Sequence, residues 1–89
     1  MTKVQMYCTA ICPYCVSAER LLRAKGVTEI EKIRVDLQPE LRLAMMKKTG
    51  QRTVPQIYIG GFHVGGYDAL AKLEHSGELS RILLDKPVD

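Results

Sequence analysis

Along this chain the apolar residues recur at two spacings, and each change of spacing marks a new element. Val4-Gln5-Met6-Tyr7 alternates in the manner of a short strand, which predicts a strand over Lys3 to Cys8. Val16, Ala18, Leu21 and Leu22 then recur at helical spacing. Glu19, Arg20, Arg23 and Lys25 fill the other face, and Gly26 stops a helix that spans Pro13 to Lys25. Alternation returns over Ile30 to Asp36, with Ile33 and Val35 on one face and Lys32 and Arg34 on the other. Pro39 opens a second helix, which carries Leu41, Ala44 and Met45 inward and ends at Gly50. Gln56 to Ile59 forms a third strand, and Phe62-His63-Val64 returns beside it after Gly60-Gly61. Two glycines permit the positive φ angles of a tight hairpin turn. Gly65-Gly66 breaks the return strand. Asp68 is placed to cap a helix holding Leu70 and Leu73 and ended by Gly77. Leu79, Ile82 and Leu83 make a final short helical face, and Asp85 to Asp89 reads as a frayed tail.

The order is strand, helix, strand, helix, hairpin, helix. A strand-helix-strand unit takes a right-handed crossover, so the first two strands are expected to be parallel. The hairpin adds an antiparallel pair to the same sheet. The expected fold class is α/β, a thioredoxin-like fold with a four-stranded mixed sheet flanked by helices on both faces. No repeat, low-complexity run or linker interrupts it. Residues 1–89 read as one small domain whose ordered core covers about residues 3–84.

Composition narrows the class. With 46% hydrophobic and 26% charged residues, the chain suits a soluble globular protein. A net charge of +3 without a clustered basic run argues against nucleic-acid binding. Met1-Thr2-Lys3 leads straight into a strand, with no apolar leader and no stretch long enough to span a membrane. The expectation is a cytoplasmic monomer, in a compartment where thiols are held reduced. Three cysteines leave at least one unpaired within the chain.

The chemistry centres on Cys12-Pro13-Tyr14-Cys15. Two cysteines at this spacing can be a metal half-site, a structural disulfide or a redox pair. Their flanks are a strand and a helix. Pro13 fits the first helical position, where a missing N–H costs nothing. Cys12 then faces free backbone N–H groups and the positive end of the helix dipole, which both favour a thiolate. Cys15 falls one turn on, on the same side, within reach of a disulfide. Together these describe a thiol–disulfide exchange site. A zinc site needs two more ligands, and Cys8, His63 and His75 lack paired ligand spacing, so no metal is expected. Cys8 shares strand parity with Val4 and Met6 and reads as a buried small hydrophobe. His63 and His75 read as surface residues, and Met45 and Met46 as helix packing.

Three motifs in order carry a resemblance: Cys12-Pro13-Tyr14-Cys15 after a strand, Thr53-Val54-Pro55 before the hairpin, and Gly65-Gly66-Tyr67-Asp68 after it. From about Lys3 to Leu84 the chain resembles the dithiol glutaredoxins, and its length resembles the short bacterial members. The resemblance implies a glutathione-dependent thiol–disulfide oxidoreductase that reduces protein disulfides and glutathione mixed disulfides and serves cell redox homeostasis. It implies Cys12 as nucleophile, Cys15 as resolving thiol, and Pro13, Tyr14 and Pro55 as support. Pro55 is expected to be cis and to lie against the pair, and Thr53, Val54 and Pro55 are expected to contact glutathione. The backbone of Val54 would then be free to pair with glutathione as an added strand. Gly66, Tyr67 and Asp68 are expected at the γ-glutamyl end, Arg42 at the glycine carboxylate, and Tyr14 beside the tripeptide. Glutathione is thus the implied co-substrate, with no tightly bound cofactor, and the implied partners are disulfide-containing or glutathionylated proteins.

Two positions depart from the pattern. Thr9 stands where many members carry a lysine that contacts the glycine carboxylate, which shifts weight onto Arg42 and Arg52. Cys8 stands where a small hydroxyl residue is more usual. Two other readings remain open at this point: a redoxin fed by thioredoxin reductase, and a dimer holding a [2Fe–2S] cluster through Cys12 and glutathione.

Overall fold

The computed structural model describes residues 3–84, so the expected fraying of Asp85 to Asp89 lies outside the described residues. The elements are β1 (Val4–Cys8), α1 (Pro13–Ala24), β2 (Ile30–Arg34), α2 (Pro39–Thr49), β3 (Gln56–Ile59), β4 (Phe62–Gly65), α3 (Tyr67–Ser76) and α4 (Glu78–Leu84). They form one four-stranded mixed sheet in the order β2-β1-β3-β4. β1 runs parallel to β2 and antiparallel to β3, and β3 runs antiparallel to β4. This is the thioredoxin-like arrangement expected from the element order.

Strand alternation divides the core in two. On one face Val4, Met6 and Cys8 of β1 and Ile57 and Ile59 of β3 meet Cys15, Ala18 and Leu22 of α1, Leu70 of α3, and Leu79 and Leu83 of α4. On the other face Tyr7 and Tyr58 meet Val35 and Met45, the latter from α2. Cys8, 4% exposed, occupies the buried site its parity predicts. Fully burying a leucine such as Leu22 or Leu70 stabilises the fold by about 1.5–3 kcal/mol.

Local chemistry sets the ends of these elements. Gly60 and Gly61, at φ 57° and 88°, make the tight turn between β3 and β4. β2 ends two residues before the expected Asp36. Val35 still donates its N–H to the Cys8 carbonyl at 3.0 Å, but Val35, Asp36 and Leu37 turn away.

Two inward expectations are corrected. Val16 is 51% exposed, because α1 buries the stripe Cys15, Ala18 and Leu22, and the next residue after Cys15 lies about 100° around the helix. Ala44 is exposed, because α2 meets the sheet through Met45, with Leu41 and Met46 at its side.

Candidate active site

The junction of β1 and α1 places the two cysteines. Cys12 is the N-cap of α1, with extended backbone at φ −150° and ψ 96°, and Pro13 follows in the first turn. The Cys12 sulfur accepts the Cys15 N–H at 3.1 Å, which satisfies one of the helix's free donors. Cys12 and Cys15 are joined in a disulfide, with Cα atoms 5.2 Å apart. Their exposure differs: Cys15 is 5% exposed and enclosed by the core, while Cys12 is half-buried. The first turn of α1 holds no acidic residue, so no side chain of that turn opposes a negative sulfur at the helix end.

The loop before β3 comes up against this pair. The Val54–Pro55 peptide bond is cis, as the resemblance implied. The Val54 carbonyl oxygen lies 4.0 Å from the Cys12 sulfur. From Val54 an open groove of about 560 Å³ runs toward the start of α3. Tyr14, Thr53, Val54, Pro55, Gly66, Tyr67 and Asp68 line it, so the structure brings together seven residues the sequence singled out. The rings of Tyr14 and Tyr67 stack with centroids 6.4 Å apart.

Three of the expected placements change. Asp68 does not cap α3: Gly66 is the N-cap, no side chain makes a capping hydrogen bond, and Asp68 sits in the first turn with its side chain exposed. Arg42 does not line the groove; its Nη1 donates to the Arg52 carbonyl at 3.0 Å and so braces the segment leading to Thr53. His63 is not a bare surface residue. It is half-buried, lines the groove, stacks on Tyr58 at 4.8 Å, and shares a 2.9 Å hydrogen bond with Gln56 Oε1. Gln51, Gln56 and Ala69 also line the groove, none of them indicated by the sequence reading. A polar residue opening the strand after Pro55 was the available signal for Gln56.

A second hollow, of about 180 Å³, borders the cysteine pair itself. Cys8, Cys12, Cys15, Glu19, Lys32 and Arg34 are among its lining. Burial pushes the Cys8 thiol upward from its ordinary pKa, against the opposing pull of Lys32 and Arg34. The Arg34 guanidinium, with both donors 2.7 Å from the Asp36 carboxylate, holds that carboxyl far below the usual range. Asp36 also accepts the Ala10 N–H at 3.2 Å, and this ties the loop before Cys12 to the turn after β2. Among the described residues no group of three or more His, Cys, Asp or Glu side chains is placed to hold a metal ion. Among the same residues no helix is long and apolar enough to cross a membrane.

A family model described as Glutaredoxin matches residues 4–64. The chain is similar to a glutaredoxin of Neisseria meningitidis serogroup A, 49% identical over 83 residues that cover 93% of this chain and 98% of the relative. It is 40% identical over 83 residues to glutaredoxin 3 of Escherichia coli K12, covering 93% of this chain and 99% of that one. Among solved structures it resembles the glutaredoxin of Brucella melitensis, at 44% identity and a TM-score of 0.81, covering 93% and 89% of the two chains. A buckwheat glutaredoxin–glutathione complex superposes with a TM-score of 0.85 at 29% identity, covering 92% of this chain and 76% of that one.

Proposed function

This chain belongs to the glutaredoxin family, thiol–disulfide oxidoreductases that act through a cysteine pair, and from that premise we propose how its own residues carry out the exchange. Cys12 is the nucleophile and Cys15 the resolving thiol. Glutathione lies in the groove between Val54 and Asp68. The observation that carries this reading is the position of Val54: it lines the groove and sets its carbonyl 4.0 Å from the Cys12 sulfur. Among the described residues no backbone hydrogen bond engages the Val54 N–H. An extended peptide docked there through main-chain pairing presents its own sulfur to Cys12.

In the reduced enzyme the Cys12 sulfur faces the free N–H groups of α1, which favour the thiolate. With a glutathione mixed disulfide, the Cys12 thiolate attacks the glutathione sulfur. A Cys12–glutathione disulfide forms, and the substrate leaves as a thiolate that takes up a proton. A second glutathione thiolate then attacks the bound glutathione sulfur, giving glutathione disulfide and regenerating the Cys12 thiolate. With a protein disulfide, Cys12 forms a mixed disulfide with the substrate. Cys15 attacks the Cys12 sulfur, releases the second substrate thiol and leaves the Cys12–Cys15 disulfide. Two glutathiones reduce that bond and leave as glutathione disulfide.

The chemistry of the groove's lining supports a placement for the ends of the tripeptide. The N–H groups at the start of α3, beside Gly66 and Tyr67, suit the α-carboxylate of the γ-glutamyl residue, and Asp68 suits its ammonium. Arg42 braces the Thr53 segment through the Arg52 carbonyl, and Arg52, exposed and next to Thr53 in sequence, suits the glycine carboxylate. The enzyme works as a monomer in the cytoplasm, on disulfide-containing or glutathionylated proteins, with glutathione as co-substrate.

Reduction of a glutathione mixed disulfide is to be assayed with glutathione and, separately, with thioredoxin reductase as the electron source. Turnover with glutathione is expected. Turnover with thioredoxin reductase alone would overturn the glutathione reading.

A further inference from the structure

Among the described residues Gln56 is the polar side chain that is fully buried, at 2% exposure. It opens β3 immediately after the cis bond, within a strand whose other positions are all apolar and buried. A buried amide is costly unless both of its ends are paired. Its Nε2 donates to the Thr53 carbonyl at 3.0 Å, with Thr53 Oγ1 at 3.4 Å. Its Oε1 faces His63 Nε2 at 2.9 Å. The carbonyl fixes the sense of the amide, because a reversed amide would set oxygen against oxygen. An amide oxygen only accepts, so His63 donates through Nε2–H and its tautomer is set.

The hairpin supplies the geometry. An irregularity in the β3–β4 pairing sets Ile57 opposite Gly65 and Tyr58 opposite His63, which seats the imidazole on the Tyr58 ring at 4.8 Å. The direction of the hydrogen bonds therefore runs from His63 to Gln56 to the Thr53 carbonyl. The Thr53–Val54 peptide is planar and trans, so its carbonyl and the Val54 N–H point in opposite directions. Holding the Thr53 oxygen toward buried Gln56 turns the Val54 N–H away from it.

We infer that His63 and Gln56 are positioning residues, a hydrogen-bonded relay that orients the Thr53–Val54 peptide to receive the backbone of glutathione. The inference rests on the docking of glutathione at Val54 proposed above. Neither residue touches the reacting sulfurs. Their effect falls on affinity for the tripeptide more than on the exchange step.

The test uses the full chain. Long-range nitrogen–proton NMR of the parent protein reads the protonation of the His63 ring; a proton on Nε2 is expected, and an Nε2 without one overturns the relay. Titration with S-methylglutathione, which cannot exchange, should move the Val54 amide signal in the parent; a silent Val54 overturns the docking and the relay with it. His63→Phe keeps a ring beside Tyr58 and loses the donor. In it the KM for glutathione should rise about three- to tenfold, the effect of one net hydrogen bond, with kcat changed less. His63→Gln restores an amide donor and should recover most of that loss. An unchanged KM in His63→Phe, with Val54 responding in the parent, overturns the relay and leaves the docking standing. A fall in kcat without a rise in KM, unrescued by His63→Gln, marks plain structural support and also overturns it. Should His63→Phe fail to fold, Gln56→Glu carries the test, because it keeps the acceptor facing His63 and removes the donor facing Thr53. The same rise in KM is expected there, and an unchanged KM overturns the relay.

Discussion

The groove from Val54 to Asp68, whose Val54 carbonyl lies 4.0 Å from the Cys12 sulfur, and the smaller hollow that Cys8, Cys12 and Cys15 help to line hold their charged groups in opposite ways. In the smaller hollow the charges are occupied with one another. Lys32 Nζ lies 2.8 Å from Glu19, Arg23 also reaches Glu19 at 2.9 Å, and Arg34 closes on Asp36 at 2.7 Å. In the groove, among the described residues, no hydrogen bond or ion pair engages the Asp68 carboxylate, and no backbone partner engages the Val54 N–H. A ligand gains little from groups that must first be unpaired, and gains most from groups already oriented and free. Unoccupied hydrogen-bonding capacity, more than the number of charges, separates the candidate binding surface from a wall that shelters Cys8.

The largest expected effect comes from the cysteine pair, which lines the smaller hollow and whose Cys12 sulfur stands 4.0 Å from the Val54 carbonyl of the groove. Cys12→Ser should abolish all exchange, because no other thiol of this chain caps a helix. Cys15→Ser should retain reduction of glutathione mixed disulfides and lose most reduction of intramolecular protein disulfides, whose adduct only a second thiol resolves. Both reactions on both variants, with mass spectrometry of trapped adducts, check this. Full activity in Cys12→Ser would place the nucleophile elsewhere.

Asp68→Ala breaks the groove alone. It should raise the KM for glutathione by about tenfold, the loss of a charge-assisted contact, while alkylation of Cys12 is unaffected. With no capping bond to lose, its stability cost is confined to the helix dipole, about 0.3–1 kcal/mol. Kinetics and thermal melting on the same preparation separate the two. Activity falling only in step with folded protein would remove Asp68 from the ligand site.

The sheltering role of the smaller hollow shows in alkali. Burial raises the pKa of the folded Cys8 thiol, so between the unfolded and folded values the native state holds the proton that the unfolded state has lost. Stability is therefore full below the unfolded value, about pH 8.5, and declines as pH rises from there toward the folded value. In the oxidised protein Cys12 and Cys15 do not titrate, so Cys8→Ala should flatten that decline. Denaturant midpoints from pH 7.5 to 9.5 measure it, and an unaltered slope in Cys8→Ala would assign the decline to another group.

Lys32→Gln makes the smallest change. It opens one exposed ion pair on the closed side, worth about 0.2–1 kcal/mol of stability, and should leave the KM for glutathione unchanged. A several-fold rise in KM would make the smaller hollow part of the ligand site and dissolve the distinction between the two.

Much of this protein is legible without coordinates because its signals are local. Alternation fixes which strand residues share a face, so Cys8 is buried with Val4 and Met6 as expected. Proline at the first turns of α1 and α2 and glycine at the ends of α2 and α3 mark helix limits through properties of single residues. Cys12 at a helix N-terminus with Cys15 one turn on follows from the same rules. Tertiary structure decided what depends on the neighbour an element meets. Periodicity gives a helix an apolar side but not the width of the seam it enters, so Val16 and Ala44 turn out exposed while Cys15 and Met45 are enclosed. Arg42 spends its guanidinium on the Arg52 carbonyl, a contact set by how α2 lies against the following loop. Gln56 and His63 are seven residues apart, and only the β3–β4 hairpin with its irregular pairing brings amide and imidazole within 2.9 Å. Hydrogen bonds between side chains depend on fractions of an ångström and on the exclusion of water, and neither exists until the strands have paired.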